Sequence, residues 1–214
     1  MLRIETLTVG DLQSNCHLVA NTETKEAAIV DPGAEGPRIL AALEQHGLKP
    51  VAIWLTHAHI DHIGAAAHVR RATKAPLWVH EREKEWLSDP VRNLAAWAGM
   101  PFENVEADGI WKGGETFEAL GASWRVRHLP GHSPGHVALL CSKEHLGLTG
   151  DLLFQGSMGR VDLPEGDPFA MVASLQELMG EPDETRIYVG HGPSTTIGRE
   201  KASNQVVQGF LELR

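Results

Sequence analysis

Apolar and polar positions along the chain mark out a series of short strands with a few helices between them. Residues 3–9 alternate, and residues 15–20 and 26–30 follow as a hairpin pair. Asp31-Pro32-Gly33 stops the second hairpin strand abruptly. Over residues 37–46, Ile39, Leu40 and Leu43 share one face of a predicted helix that Gly47 terminates. The unbroken apolar run 51–55 reads as a buried strand, and residues 63–71 as a helix. A short strand at 76–80 leads into a polar helical segment, 81–100. There Glu81, Arg82, Glu83, Lys84 and Glu85 form a solvated face, with Trp86, Leu94 and Trp97 as packing residues; a substrate-facing role for the segment is the alternative. After a turn at Gly113-Gly114, strands are expected at 117–120, 124–129 and 137–141, and in the runs that lead to Asp151 and His191. Residues 152–167 form a long glycine-bearing loop, 169–179 a helix, and 195–214 a last helix and tail.

Length and composition narrow the class. A chain of 214 residues, 42% hydrophobic and 22% charged, fits one well-buried globular domain. No run approaches the roughly 18 apolar residues of a membrane span, and the N-terminus lacks a signal-peptide pattern, so a cytoplasmic location is expected. The formal net charge of −9, with no Lys/Arg block longer than a pair, argues against nucleic acid as a partner. Cys16 and Cys141 lie far apart in apolar segments and read as buried free thiols. Twelve histidines against one tyrosine is the compositional oddity.

That oddity is concentrated in Thr56-His57-Ala58-His59-Ile60-Asp61-His62, at a predicted strand-to-helix corner. On an extended backbone His57 and His59 project to the same side and can grip one ion. Asp61 and His62 leave that row and can address a second ion, about 3.5–4 Å away in two-metal sites. A helix cap would account for Asp61 but not for three neighbouring histidines. His132, held in Leu129-Pro130-Gly131-His132-Ser133-Pro134-Gly135, supplies a third ligand for the first ion. His57, His132, Asp151 and His191 each end a separate apolar strand, and strand ends along one sheet rim can converge. His128 and His136 read as structural or supporting histidines. Asp31 is either a turn residue or a brace for a metal ligand. Arg160 could clamp a substrate carboxylate, but pairing with Asp162 or Asp167 is favoured. No phosphate loop follows the glycines of 152–167, and no Gly-x-Ser-x-Gly elbow supports Ser133 as a nucleophile.

With His57-x-His59-x-Asp61-His62 followed by His132, Asp151 and His191, the chain resembles the metallo-β-lactamase superfamily. The similarity runs from Gln13-Ser14-Asn15-Cys16 through Asp31-Pro32-Gly33 to Gly190-His191-Gly192-Pro193. Gly131-His132-Ser133-Pro134-Gly135-His136, Gly150-Asp151, Gly159-Arg160-x-Asp162-x-Pro164 and Gly190-His191-Gly192-Pro193-Ser194-Thr195 look like the short glyoxalase II-like (hydroxyacylglutathione hydrolase-like) enzymes. The resemblance implies an α/β fold, a four-layer αββα sandwich with a dinuclear site on the sheet rim. It implies two divalent metal ions, zinc foremost, with iron or manganese as alternatives. His57, His59 and His132 would hold the first, Asp61, His62 and His191 the second, and Asp151 would bridge both. The implied activity is hydrolysis of a small-molecule thioester such as S-D-lactoylglutathione by a metal-bridging hydroxide that Asp61 orients. Full-length glyoxalase II proteins add a C-terminal helical domain that helps bind glutathione. This chain has little after His191, so one domain over 1–214 without that addition is expected. Two rivals stand beside this reading: a mononuclear iron persulfide dioxygenase on the same fold, and a metal-binding protein without catalysis. Gly192-Pro193-Ser194-Thr195 and Leu163-Pro164 favour the hydrolase, and a β-lactam hydrolase is disfavoured without a secretory signal.

Overall fold

The computed structural model describes residues 1–211, which lie in two six-stranded sheets between helices. The first sheet holds β1 (Leu2–Val9), β2 (Ser14–Asn21) and β3 (Glu26–Val30), then β4 (Lys49–Trp54), β5 (Leu77–His80) and β6 (Gly109–Trp111), in that spatial order. Its first three strands are antiparallel and the rest parallel, with α1 (Gly36–Gln45) crossing from β3 to β4. Between β4 and β5 lie α2 (Ile60–Ile63) and α3 (Ala66–Thr73); between β5 and β6 lie a 3-10 turn, Glu81–Ser88, and α4 (Ala95–Ala98). The second sheet is built from β7 (Thr116–Ala119), β8 (Ala122–His128), β9 (Val137–Cys141) and β10 (Leu146–Gly150). A two-stranded ribbon of β11 (Leu153–Phe154) and β12 (Ser157–Met158) precedes α5 (Pro168–Leu178). The chain then returns as β13 (Arg186–Val189), parallel to β10, and β14 (Thr195–Thr196), before α6 (Ile197–Ser203) and α7 (Gln205–Leu211).

Alternation along the strands explains the layering, because successive side chains point to opposite faces. Val19, Ala28, Val30, Trp54, Trp124, Val137, Leu139 and Leu148 fill the space between the sheets. Their neighbours Leu18, Ile29, Ile53 and Leu77 face outward onto Ile39, Leu43 and Val69 of α1 and α3. On the far side, Ala138, Leu140, Ile187 and Val189 face Met171, Leu175 and Leu178 of α5. Both faces of each sheet are therefore covered, which is the four-layer αββα arrangement and the reason the strands read as unbroken apolar runs. No helix among the described residues is long and apolar enough to cross a membrane.

Three expected elements come out differently. The helix expected at 63–71 is broken after Ile63. The amide of Ala65 donates to Pro32 O (2.9 Å) instead of to Asp61 O, which accepts from Ser14 Oγ at 2.6 Å. Gly33 permits this approach, since a Cβ there would lie 1.6 Å from Asp61 O. The segment 81–100 is a 3-10 turn and a one-turn helix, interrupted at Asp89-Pro90 and again at Leu94, whose φ of 70° is left-handed. The last helix is two short ones, split at fully buried Asn204, whose side-chain oxygen caps α7 through Val206 N (3.1 Å). Residues 212–214 of the expected tail lie outside the described residues.

Candidate metal centre

The ends of β4, β10 and β13 and the loop after β8 meet on one rim, and they bring together all seven residues expected to hold metal. His57, His59 and His132 each place a donor atom within 4.8 Å of the others, and so do Asp61, His62 and His191. The two groups abut, with the rings of His57 and His62 4.1 Å apart. Asp151 lies between them. Its Oδ2 is 3.6 Å from His132 Nε2 and 3.5 Å from His191 Nε2, and its Oδ1 is 3.3 Å from His62 Nε2. His191 Nε2 is also 3.2 Å from Asp61 Oδ2. The closeness demands glycine at 190, where a Cβ would sit 1.9 Å from Asp151 Oδ1.

Hydrogen bonds behind the rings aim them. Thr56 Oγ1 donates to Asp31 Oδ2 (2.6 Å), so it accepts from His57 Nδ1 (3.1 Å) and leaves His57 Nε2 bare. His62 Nδ1 donates to Asp31 Oδ2 (3.2 Å), and His132 Nδ1 to the carbonyl of Arg160 (2.8 Å). These bonds occupy the outer nitrogen of each ring and turn Nε2 toward the cluster, where His132 Nε2 lies 2.9 Å from His59 Nδ1 and His62 Nε2 lies 3.3 Å from Asp151 Oδ1. Asp31 also accepts from Thr56 N at 2.8 Å, so it braces the cluster from behind while ending β3. Asp31, His57 and His62 also bring donor atoms within 4.8 Å of one another, but the Asp31 oxygens are already engaged by Thr56.

The donor set fits metal ions. Nε2 of His57 and His62 and Oδ1 of Asp151 are buried without a hydrogen-bond partner, a costly state for polar atoms unless something polar sits against them. Electrostatics point the same way. Burial opposes ionisation of Asp61 and Asp151, yet the His62 and His191 rings beside them hold both carboxyls below the ordinary range. Burial likewise opposes protonation of His62 and His191, but Asp61 and Asp151 raise both, His191 to about 9. The carboxylate pair thus draws positive charge, which divalent cations would supply. Burial, followed by the neighbouring imidazoles, lowers His57 far below its ordinary value and His59 to about 3, the neutral form a ligand requires.

The architecture, the ligand order and the paired clusters agree with the sequence pattern of the metallo-beta-lactamase superfamily, which matches residues 9–191. The chain belongs to that superfamily. Within it, hydroxyacylglutathione hydrolase GloC of Haemophilus influenzae is 35% identical over 206 residues, covering 95% of this chain and 97% of that protein. Among solved structures, one described as BLEG-1 B3 metallo-beta-lactamase matches with a TM-score of 0.93 at 37% identity, covering 97% of this chain and 100% of that one. TTHA1623, solved in a di-iron-bound form, matches with a TM-score of 0.84 at 40% identity, covering 94% of this chain and 99% of that one.

Around this superfamily centre the structure assigns places to the remaining candidates. His136 is fully buried and its Nε2 accepts from the amide of Asp151 (3.1 Å), a supporting position; His128 stacks on His80 at 4.1 Å, away from the cluster. Arg160 lines the cavity over the centre but forks onto Asp162 at 2.7 and 2.9 Å. Cys16 and Cys141 are both buried free thiols. Glu83, expected on a solvated face, is fully buried. Its Oε2 accepts from Ala58 N (2.6 Å) and its Oε1 from Gly135 N (2.7 Å), tying the His57–His59 loop to the His132 loop. Burial pushes this carboxyl up to about 7. Trp97, expected to pack inside, is 76% exposed and lines the cavity. Asn15 carries no metal-ligand signal in the sequence, yet its side-chain amide donates to Val189 O (2.9 Å) and Gly192 O (2.8 Å), pinning the His191 turn to β2. An asparagine inside an otherwise apolar strand was the available signal.

Proposed function

We propose that the chain is a metal-dependent thioester hydrolase of the glyoxalase II type, using two divalent ions. The observation that carries this reading is the convergence of two donor groups on one shared carboxylate, Asp151, beneath an open cavity of about 420 Å³. His57, His59 and His132 would hold one ion, Asp61, His62 and His191 the other. Bound there, such ions lower the pKa of a water towards about 7 and polarise a carbonyl. Zinc suits the imidazole-rich set, and iron is compatible with the same donors. The protein's own groups set the rest. Asp61 and His191 are the half-buried members of the cluster and face the cavity, so substrate meets the centre on that side. Asp61, on the cavity side, would accept a hydrogen bond from the attacking water and fix its direction. No serine or cysteine nucleophile is required. GloC, similar over nearly the whole chain, supports hydrolysis of an acylated thiol.

The test is elemental analysis paired with hydrolysis of S-D-lactoylglutathione and simpler thioesters on one preparation. Near two metals per chain with thioester turnover is the expected result. One iron per chain, no hydrolysis and oxygen uptake with glutathione persulfide would replace this reading with the dioxygenase.

A further inference from the structure

We propose that the cavity over the centre selects thioesters carrying an uncharged apolar arm, alkyl or aromatic, laid against Trp97, over thioesters whose arm is charged. This rests on the thioester-hydrolase reading above and names its substrate class.

The walls are the first argument. Leu12, Leu94, Trp97, Phe154, Met158 and Leu163 line the cavity. Arg160 is the one Lys or Arg among the lining residues, and its guanidinium is already forked onto Asp162. A glutathione arm brings two carboxylates and one ammonium, and a carboxylate moved from water against these walls finds no unpaired Lys or Arg among the described lining residues to replace its hydration. An alkyl or aromatic arm loses nothing there and gains from every methylene it buries.

The second argument is how Trp97 is held. An indole that is 76% exposed, with Leu12 at 51% on the same cavity, would ordinarily sit on a mobile loop. Here it stands on the single turn of α4, between a left-handed Leu94 and a left-handed Gly99. A left-handed leucine is unfavourable and persists only when its surroundings fix it. They do: Leu94 and Ala95 are buried, and Asn93 is fully buried. The Asn93 side chain donates to Trp86 O (2.8 Å) and accepts from Ala95 N (3.0 Å), and its carbonyl accepts from Ile60 N (2.8 Å). The platform is thereby fastened to α2, which carries Asp61 and His62. An exposed aromatic on a strained, buried mount beside the centre is a preformed wall for an apolar group.

The experiment uses the metal-loaded protein and two substrate series. In the first, N-acetylcysteamine thioesters carry acetyl, butyryl, hexanoyl and octanoyl groups. In the second, one acyl group is carried on glutathione, N-acetylcysteamine and 2-phenylethanethiol. A rise of kcat/KM of about two- to fourfold per methylene in the first series places the arm on the acyl side. At least a tenfold preference for phenylethanethiol over glutathione in the second places it on the thiol side. In either case Trp97→Ala should flatten the trend, costing the most apolar substrate at least tenfold more than the least, and Trp97→Phe should restore most of it. Turnover with no trend in either series, a preference for the glutathione thioester, or equal losses across substrates in Trp97→Ala overturns the proposal alone. No turnover on any thioester overturns the hydrolase reading and this inference with it.

Discussion

Replacing Glu83 by glutamine isolates the contribution of a single buried tie to the metal centre. The carboxylate accepts two backbone amides from opposite sides, Ala58 at 2.6 Å and Gly135 at 2.7 Å. Glutamine keeps the shape but offers one acceptor and one donor, so one of those amides must face an N–H. A hydrogen bond to a charged group contributes about 1.5–3 kcal/mol. Against this, burial already pushes the Glu83 carboxyl up to about 7, so the neutral amide escapes a desolvation cost. The net loss therefore belongs near the lower end, about 1.5 kcal/mol. Because the tie joins the His57–His59 loop to the His132 loop, the loss should appear as weaker binding at the three-histidine site. That corresponds to roughly a tenfold rise in Kd, within the range of about 10–100-fold for groups that support metal ligands. Competition with a chromophoric chelator at pH 8, where the carboxylate is ionised, reads this directly. A Kd within twofold of the parent, with two metals retained, would refute the claim that Glu83 positions the ligands.

Three further outcomes follow from the same geometry. Asp151→Asn removes the charge shared by both groups and should lower bound metal from two to about one per chain, with activity down on the order of 100-fold or more, checked by elemental analysis and initial rates. In the metal-free protein, burial depresses His59 and His136 to about 3 and His17 to about 4, so the unfolded chain binds more protons below pH 6.5 and stability falls as pH drops. His191, raised to about 9, contributes stability below 6.5 that is lost as pH rises through 9; denaturant midpoints should therefore peak near pH 6.5, and a monotonic profile would contradict this. Trp124→Ala empties a fully buried site packed 5.2 Å from Trp54 and should cost about 3–5 kcal/mol in equilibrium unfolding.

The candidate ligands were legible because their signal is local. A run such as His57-Ala58-His59 followed by Asp61-His62 carries its chemistry in its own spacing, and strand-terminal His132, Asp151 and His191 are marked by the apolar runs before them. Unbroken apolar runs also revealed most of the strands, since both faces of each sheet are covered. What stayed hidden depends on partners distant in sequence. Glu83 sits in Glu81-Arg82-Glu83-Lys84-Glu85, which reads as a solvated face until the amides of Ala58 and Gly135 close on it. Trp97 reads as core because nothing in its neighbourhood announces a left-handed Leu94. The break after Ile63 needs Ser14 and Pro32 to take the bonds a longer helix would have made.

The pairing of Ser14 with His191 has a consequence for assembly. It joins the first sheet to the turn that supplies the last donor, and that donor follows the first, His57, by 134 positions (191 − 57). A nascent chain that has emerged as far as Gly150 already displays five of the seven donors but lacks Asp151 and His191. Neither half of the sandwich can close the two clusters alone, and contacts so distant in sequence carry the loop-closure cost that slows folding. Ions taken up by the two clusters would therefore report docking of the two sheets and would hold the docked state by mass action.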